Sequence, residues 1–383
     1  MCSSDLKIIE FSHSLLPKVY EYYEAKKELL GLDEMMLCDL NQSITDYSPK
    51  EISYEESVNT GRAGISVWGD EYLSAFDGET GTLLDTVPYD PPRGNVIDWG
   101  DSWGNRVDRF LACVAYLDGV HPSAVMCRGY YDHGCPTVLA AWDIVNKKLV
   151  KRWVFRADKN QNINYTAQGH HSLYAGDVDG DGMDEIVYGG MAVDHDGRGM
   201  YSTGLGHGDA QHLGKFLPHA EGLQYFGIQE EDDAPLGYDV HDPATGEIKW
   251  GRVTGYDTGR GMCAKIDPRY EGNQVWAIDQ PLFNLDGRMI SEECPKTNKF
   301  PVWWDGGLLR DLLDYTPDEG EGDVWENGSP KIYKWDWENG ELKTIFEPER
   351  ARSITHTKGT PCLQADVIGD WRENLIFTDK DST

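Results

Sequence analysis

The segment Asp177-Val-Asp179-Gly-Asp181-Gly-Met-Asp184-Glu185 sets carboxylates at alternate positions, with glycine at the bends. A tight loop of this kind wraps a hard cation in oxygen ligands, and calcium accepts about six to eight of them in flexible geometry. Asp177, Asp179 and Asp181 would ligate by side chain and Met183 by its carbonyl, with Glu185 or Asp184 closing the shell. No Glu stands at the twelfth loop position and the flanks read as strands, so the loop is not an EF-hand. Asp366 and Asp370 form a weaker second copy, in which Ile368 replaces one carboxylate. Histidine and aspartate crowd the segments Gly169-His170-His171, Val193-Asp194-His195-Asp196-Gly197 and Gly206-His207-Gly208-Asp209-Ala210-Gln211-His212. Asp194, Asp196, His207 and Asp209 join the candidate ligands; His207 and Asp209 alternate and would face one side of an extended segment. Zinc is the rival metal, but the excess of carboxylate and the lack of paired cysteine favour calcium. Four basic residues sit in loops that suit an anionic ligand: Arg128 in MCRGYY, Arg260 in TGYDTGRGMC, Lys358 in THTKGTPC and Arg372 in GDWREN.

Something must hold these loops, and two alternating repeats supply it. In LSAFDGETGTLLDT (73–86), LAAWDIVNKKLVKRW (139–153), YDVHDPATGEIKWGR (238–252) and IYKWDWENGELKTIF (332–346) an apolar strand meets Asp, a tight turn and a second strand. The turn ends in Gly81, Gly246 or Gly340, each suited to positive φ, and in Lys147 in the remaining copy. The other repeat pairs AGDVDGDGMDEIVYGG (175–190) with QADVIGDWRENLIFTD (364–379), with looser relatives at 116–129 and 265–277. Together they give about four strands per unit of roughly 40–50 residues, the sequence sign of β-propeller blades. A β-sandwich is the plainer alternative. Residues 1–55 differ in texture: Leu15 to Leu30 carries Tyr, Glu and Lys at helical spacing, and a short helical segment is expected there. Residues 56–383 read as one all-β domain.

With 35 basic against 66 acidic side chains, the formal net charge is -31. Such acidity excludes nucleic acid and anionic membrane surfaces as partners. It would also repel an acidic polysaccharide unless bound cations reverse the local field. The eight cysteines show no C-x-x-C spacing, which argues against a zinc ribbon or a thioredoxin-like site. No stretch approaches a membrane-spanning helix, and residues 1–30 do not read as a signal peptide.

Longer segments resemble the bacterial rhamnogalacturonan lyases of polysaccharide lyase family eleven. They are YDPPRGNVIDWGDSWGNRVDRFLACVAYLDGVHPS (89–123), GHHSLYAGDVDGDGMDEIVYGGMAVDHDGRGMYSTGLGHGDAQHLG (169–214), DTGRGMCAKIDPRY (257–270), FPVWWDGGLLRDLLD (300–314) and TPCLQADVIGDWREN (360–374). The likeness runs from about Arg62 onward with the segments in family order. It implies an eight-bladed propeller with several bound calcium ions, and cleavage of the rhamnogalacturonan I backbone between rhamnose and galacturonate by β-elimination. It also implies an extracellular or periplasmic setting.

Carried over by position, His171, His207 and Asp209 look like site or metal residues, the two histidines facing substrate. Arg260 and Lys358 look like the basic pair at the reacting sugar, Lys358 as base and Arg260 as carboxylate and transition-state partner. Arg128 and Arg372 are further substrate contacts. Eight blades need roughly 320–400 residues before the family's long loops are added. An incomplete ring, truncated at both ends, is therefore expected. A non-catalytic, calcium-stabilised propeller binding carbohydrate or protein is the competing reading. A glycoside hydrolase, needing two opposed carboxylates, is a third.

Overall fold

The computed structural model describes residues 70–379, apart from 101–105, 108–109, 317–327 and 355–358. The helical segment expected within residues 1–55, and Lys358, lie outside the described residues. The chain divides into two compact units, Met1–His207 and Gly208–Thr383. The regular structure of the described residues is antiparallel β-sheet, with short 3-10 turns at Val96–Trp99 and Ile163–Tyr165. No helix among them is long and apolar enough to cross a membrane.

Five four-stranded sheets recur among the described residues, each a meander in chain order: 112–157 and 174–202 in the first unit, and 208–252, 261–291 and 300–346 in the second. A two-stranded hairpin of Tyr72–Phe76 and Leu83–Pro88 precedes them. Four short strands between 351 and 379 follow, as two-stranded pairs.

The Asp-turn repeats are the hairpins of these meanders. At the first, the Asp77 carboxylate accepts from the amides of Glu79 and Thr80, and Gly81 takes φ +68. Asp336 repeats this with Glu338, Asn339 and Gly340. In the copy without glycine, Asn146 and Lys147 both adopt positive φ, as a two-residue hairpin loop demands.

Burial explains why the strands do not alternate. Ser123–Arg128 is buried at every position, because sheets stack on both of its faces. In the first unit one core joins Val125, Leu139 and Phe155 of one sheet to Ile186, Tyr188 and Val193 of the next. In the second unit, Ile228 and Tyr238 meet Val275 and Phe283, and Met262 and Trp276 meet Leu312 and Trp335. Successive meanders thus pack face to face in chain order within each unit.

Arg128 belongs to this interior. Its guanidinium is fully buried, bonded to Glu71 at 2.6 Å and surrounded by the rings of Tyr89, Trp99 and Phe110. Glu71 also takes Arg93 at 2.6 Å. A residue that is fully buried and paired with carboxylate serves the packing of the leading hairpin rather than a ligand in solvent. Glu71→Gln should cost about 2 kcal/mol of stability, the worth of a hydrogen bond between charged groups. Denaturant unfolding of the two proteins measures it.

Candidate functional site

The acidic loop of the first unit joins strand Tyr174–Gly176 to strand Glu185–Tyr188. Asp177 holds it closed: its carboxylate accepts from the amides of Gly180 at 2.7 Å and Gly182 at 3.1 Å. Gly180 and Gly182 sit at φ +83 and +91, a region a side chain seldom reaches. Asp179 accepts from the Asp181 amide, and Asp181 from the Met183 amide. Glu185 closes the inner side, its Oε2 on the Val178 amide at 2.8 Å. Asp184 instead turns outward and accepts from the Tyr116 amide at 2.7 Å.

The side-chain oxygens of Asp177, Asp179 and Glu185 lie within 4.8 Å of one another, as do the ligand atoms of Asp181, Glu185 and His195. Asp194 faces the same place, its Oδ1 2.7 Å from His195 Nδ1. That approach makes no hydrogen bond, and Glu185 Oε1, Asp194 Oδ1 and His195 Nδ1 are all buried without a hydrogen-bond partner. Burial, with Asp179, Asp181 and Asp194 around it, pushes the Glu185 carboxyl up to about 7. Orphaned lone pairs crowded in a negative field are what a divalent cation would satisfy, so the donor set fits calcium. Asp194, a candidate ligand from the sequence, and His195, which was not one, both lie at this cluster. Asp196 points elsewhere, to Arg198 at 3.1 Å.

The second acidic loop has the same frame. Asp366 accepts from the amides of Gly369, Asp370 and Trp371, and Asn374 Oδ1 holds the Val367 amide as Glu185 holds that of Val178. Its carboxylates are exposed, and neutral Asn374 replaces the buried acid. Arg372 stands beyond it, exposed, with its guanidinium carbon 5.4 Å from the ring centre of Trp371.

His171 and His207 come together in the first unit, their rings 5.0 Å apart and nearly perpendicular. Tyr130 Oη lies 3.1 Å from His171 Nδ1, and Tyr131 Oη 2.9 Å from its Nε2. His207 is buried and donates Nδ1–H to the Gly169 carbonyl at 2.5 Å. That bond fixes the tautomer in which Nε2 keeps its lone pair, the form that binds a metal.

In the second unit, Arg260 ends a turn and leads into strand Gly261–Ala264. Its amide donates to the Thr258 carbonyl and its carbonyl accepts from the Ile278 amide, so the backbone is fixed on both sides. The guanidinium pairs with Asp209 and donates to the Gly259 carbonyl. Asp209 and Glu230 offer carboxylate oxygens within 4.8 Å of each other. Burial, followed by the charges of Glu230 and Asp209, raises the Asp257 carboxyl above its ordinary range. The Asp209, Glu230 and Asp257 carboxylates and the Arg260 guanidinium thus form one charged cluster.

The sequence profile of "Rhamnogalacturonan lyase family 11, C-terminal domain" matches residues 35–383. The rhamnogalacturonan exolyase YesX of Bacillus subtilis is 51% identical over 347 residues, covering 88% of this chain and 55% of that protein. The endolyase YesW of the same organism is 49% identical over 315 residues, covering 82% of this chain and 48% of YesW. Among solved structures, that of exotype lyase YesX superposes with a TM-score of 0.76 at 53% identity, over 84% of this chain and 53% of YesX. A Bacillus licheniformis rhamnogalacturonan lyase gives a TM-score of 0.76 at 48% identity, over 87% of this chain and 53% of that one. The chain belongs to rhamnogalacturonan lyase family 11. It spans about half the length of the curated relatives it matches.

Proposed function

We propose that this chain carries the catalytic residues of a calcium-dependent rhamnogalacturonan lyase, an endolyase or exolyase that cleaves the rhamnogalacturonan I of pectin. The observation that carries the reading is the Arg260–Asp209 pair at a strand start, in a chain about half identical to lyases of this family. Cleavage breaks the C5–H and C4–O bonds of galacturonate and forms a C4=C5 double bond, with the leaving oxygen taking a proton. The C5 proton is a weak acid beside an ionised carboxylate, so the charge that develops there needs a cation. Arg260 supplies one; it cannot be the base, because a guanidinium scarcely deprotonates. Lys358 is assigned as base by the family pattern. Bound calcium would supply Lewis-acid stabilisation of the same charge. Calcium would also offset the chain's net charge of -31 against an acidic polymer. A polymer substrate places the protein outside the cell or in the periplasm.

The architecture follows the same reading: the stacked meanders are blades of a β-propeller, eight-bladed in the complete family fold, of which this chain holds part. The purified chain incubated with rhamnogalacturonan I and calcium should raise ultraviolet absorbance, where the unsaturated product absorbs, and a chelator should abolish the rise. Binding of the polymer without cleavage would instead mark a non-catalytic, calcium-stiffened binding module.

A further inference from the structure

We propose that Lys299 is a substrate-binding residue beside Arg260, taking the carboxylate of a bound uronate; the proposal rests on the lyase reading above. Three strands open three successive meanders of the second unit: Gly208–Gly214, Gly261–Ala264 and Phe300–Val302. The first touches the second, and the second touches the third. Each carries a charge at its leading end: Asp209 is the second residue of the first strand, and Arg260 and Lys299 immediately precede the other two. Two of these three are already assigned to the site by the family pattern. The third occupies the equivalent place in the next meander.

The strand register fixes where Lys299 lies. Phe300 pairs with Leu313, Pro301 with Leu312 and Val302 with Asp311, so one further step sets Lys299 opposite Asp314. The Asn298 amide, donating to Asp314 Oδ2 at 3.3 Å, keeps the two strands together at this point. Directly opposed residues share a face of the sheet. Leu312, two residues before Asp314 and on that same face, packs against Met262 and Trp276 of the preceding sheet, the sheet that Arg260 leads into. The charges acting on Lys299 are accordingly Asp314, Arg260 and Asp209.

What separates Lys299 from a structural lysine is its lack of commitment. The Arg260 guanidinium already holds Asp209 and the Gly259 carbonyl. The Asp314 carboxylate already accepts from the amides of Asn298 and Tyr315. The Lys299 ammonium makes no hydrogen bond or close ion pair among the described residues. Burial lowers its pKa from the ordinary lysine value and Arg260 adds to that, against the opposing pull of Asp314 and Asp209. A half-buried, unpaired cation next to a committed one is placed to meet an anion. In a polymer of uronate and neutral rhamnose, the only anionic group is the carboxylate. A lysine here distinguishes uronate from neutral sugar by charge, while Arg260 serves the reacting centre.

The test compares wild-type chain, Lys299→Gln and Lys299→Arg on rhamnogalacturonan I with calcium, by ultraviolet absorbance, after thermal unfolding confirms that all three fold. The expected result is a KM raised at least tenfold in K299Q with kcat held within about threefold, and largely restored in K299R. An unchanged KM would overturn the proposal. So would a tenfold fall in kcat at constant KM, which would make Lys299 part of the proton transfer instead. A wild-type chain that folds but does not cleave would sink the lyase reading. Calorimetric titration with a galacturonate–rhamnose disaccharide would then decide the inference: weaker binding by K299Q than by wild type supports it, and equal or absent binding overturns it.

Discussion

Arg260→Ala should lower kcat on rhamnogalacturonan I by roughly a thousandfold while changing KM by much less. Removing one preorganised donor from a site of developing negative charge costs roughly 10²–10³ in rate. Arg260 contributes a full charge, so the upper end applies, about 4 kcal/mol. Its backbone is held on both sides and its guanidinium is oriented by Asp209, so little reorganisation is needed during reaction. Arg260→Lys keeps the charge but loses the planar fork, and should recover only part of the loss. A variant with raised KM and near-normal kcat would show that Arg260 only binds substrate. The alanine variant also removes one cationic partner of Asp209, so thermal unfolding of each variant belongs with the kinetics.

If the acidic loop holds calcium as proposed, removing it is the second large effect. A cation at about a hundredfold its dissociation constant stabilises the folded state by about 2.7 kcal/mol. For a protein of this size chelation should therefore lower Tm by roughly 3–4 °C. The pH dependence identifies the site. With its folded pKa at about 7, above the unfolded carboxylate value, Glu185 is preferentially protonated in the metal-free folded protein. Its contribution is fully present below about pH 4.3 and is lost as pH rises through 7, on the order of 3–4 kcal/mol in all. Chelated wild-type protein should thus lose more stability between pH 5 and 8 than chelated Glu185→Gln. Calcium should close that gap for wild type and do little for the variant. Parallel curves for the two chelated proteins would exclude Glu185 from the cation site.

How much of this was legible depended on whether a function is written in local spacing. The loop at Asp177 was, because alternating carboxylates and two positive-φ glycines dictate its shape without help from the rest of the chain. The Asp-turn hairpins were legible for the same reason. The family segments carried the assignment of Arg260, and the geometry then supplied its partner Asp209. Arg128 misled because Gly129 after it resembles a loop. In the fold that glycine sits against the Trp99 ring and the Pro136 carbonyl, with no space for a side chain, at the end of a strand buried on both faces. Sequence alternation cannot reveal a strand covered on two sides. His195 was hidden between two aspartates that looked like better ligands. Lys299 had no local signal at all, since PKTNKFPVWW contains neither glycine nor a repeated motif. Only its position before an opening strand singles it out.

The outward turn of Asp184 ties two sheets into one unfolding event. Its carboxylate accepts from the Tyr116 amide at 2.7 Å, its own amide donates to the Tyr116 carbonyl at 3.1 Å, and Gly119 leaves no room for a methyl group against the Gly182 carbonyl. Tyr116 follows the strand Ala112–Ala115 of the neighbouring meander, yet its amide is hydrogen-bonded by a residue of the acidic loop, Asp184. Hydrogen exchange at that single amide would therefore report the occupancy of the loop from outside it. The two meanders would lose protection together when the cation leaves, as one cooperative unit rather than two.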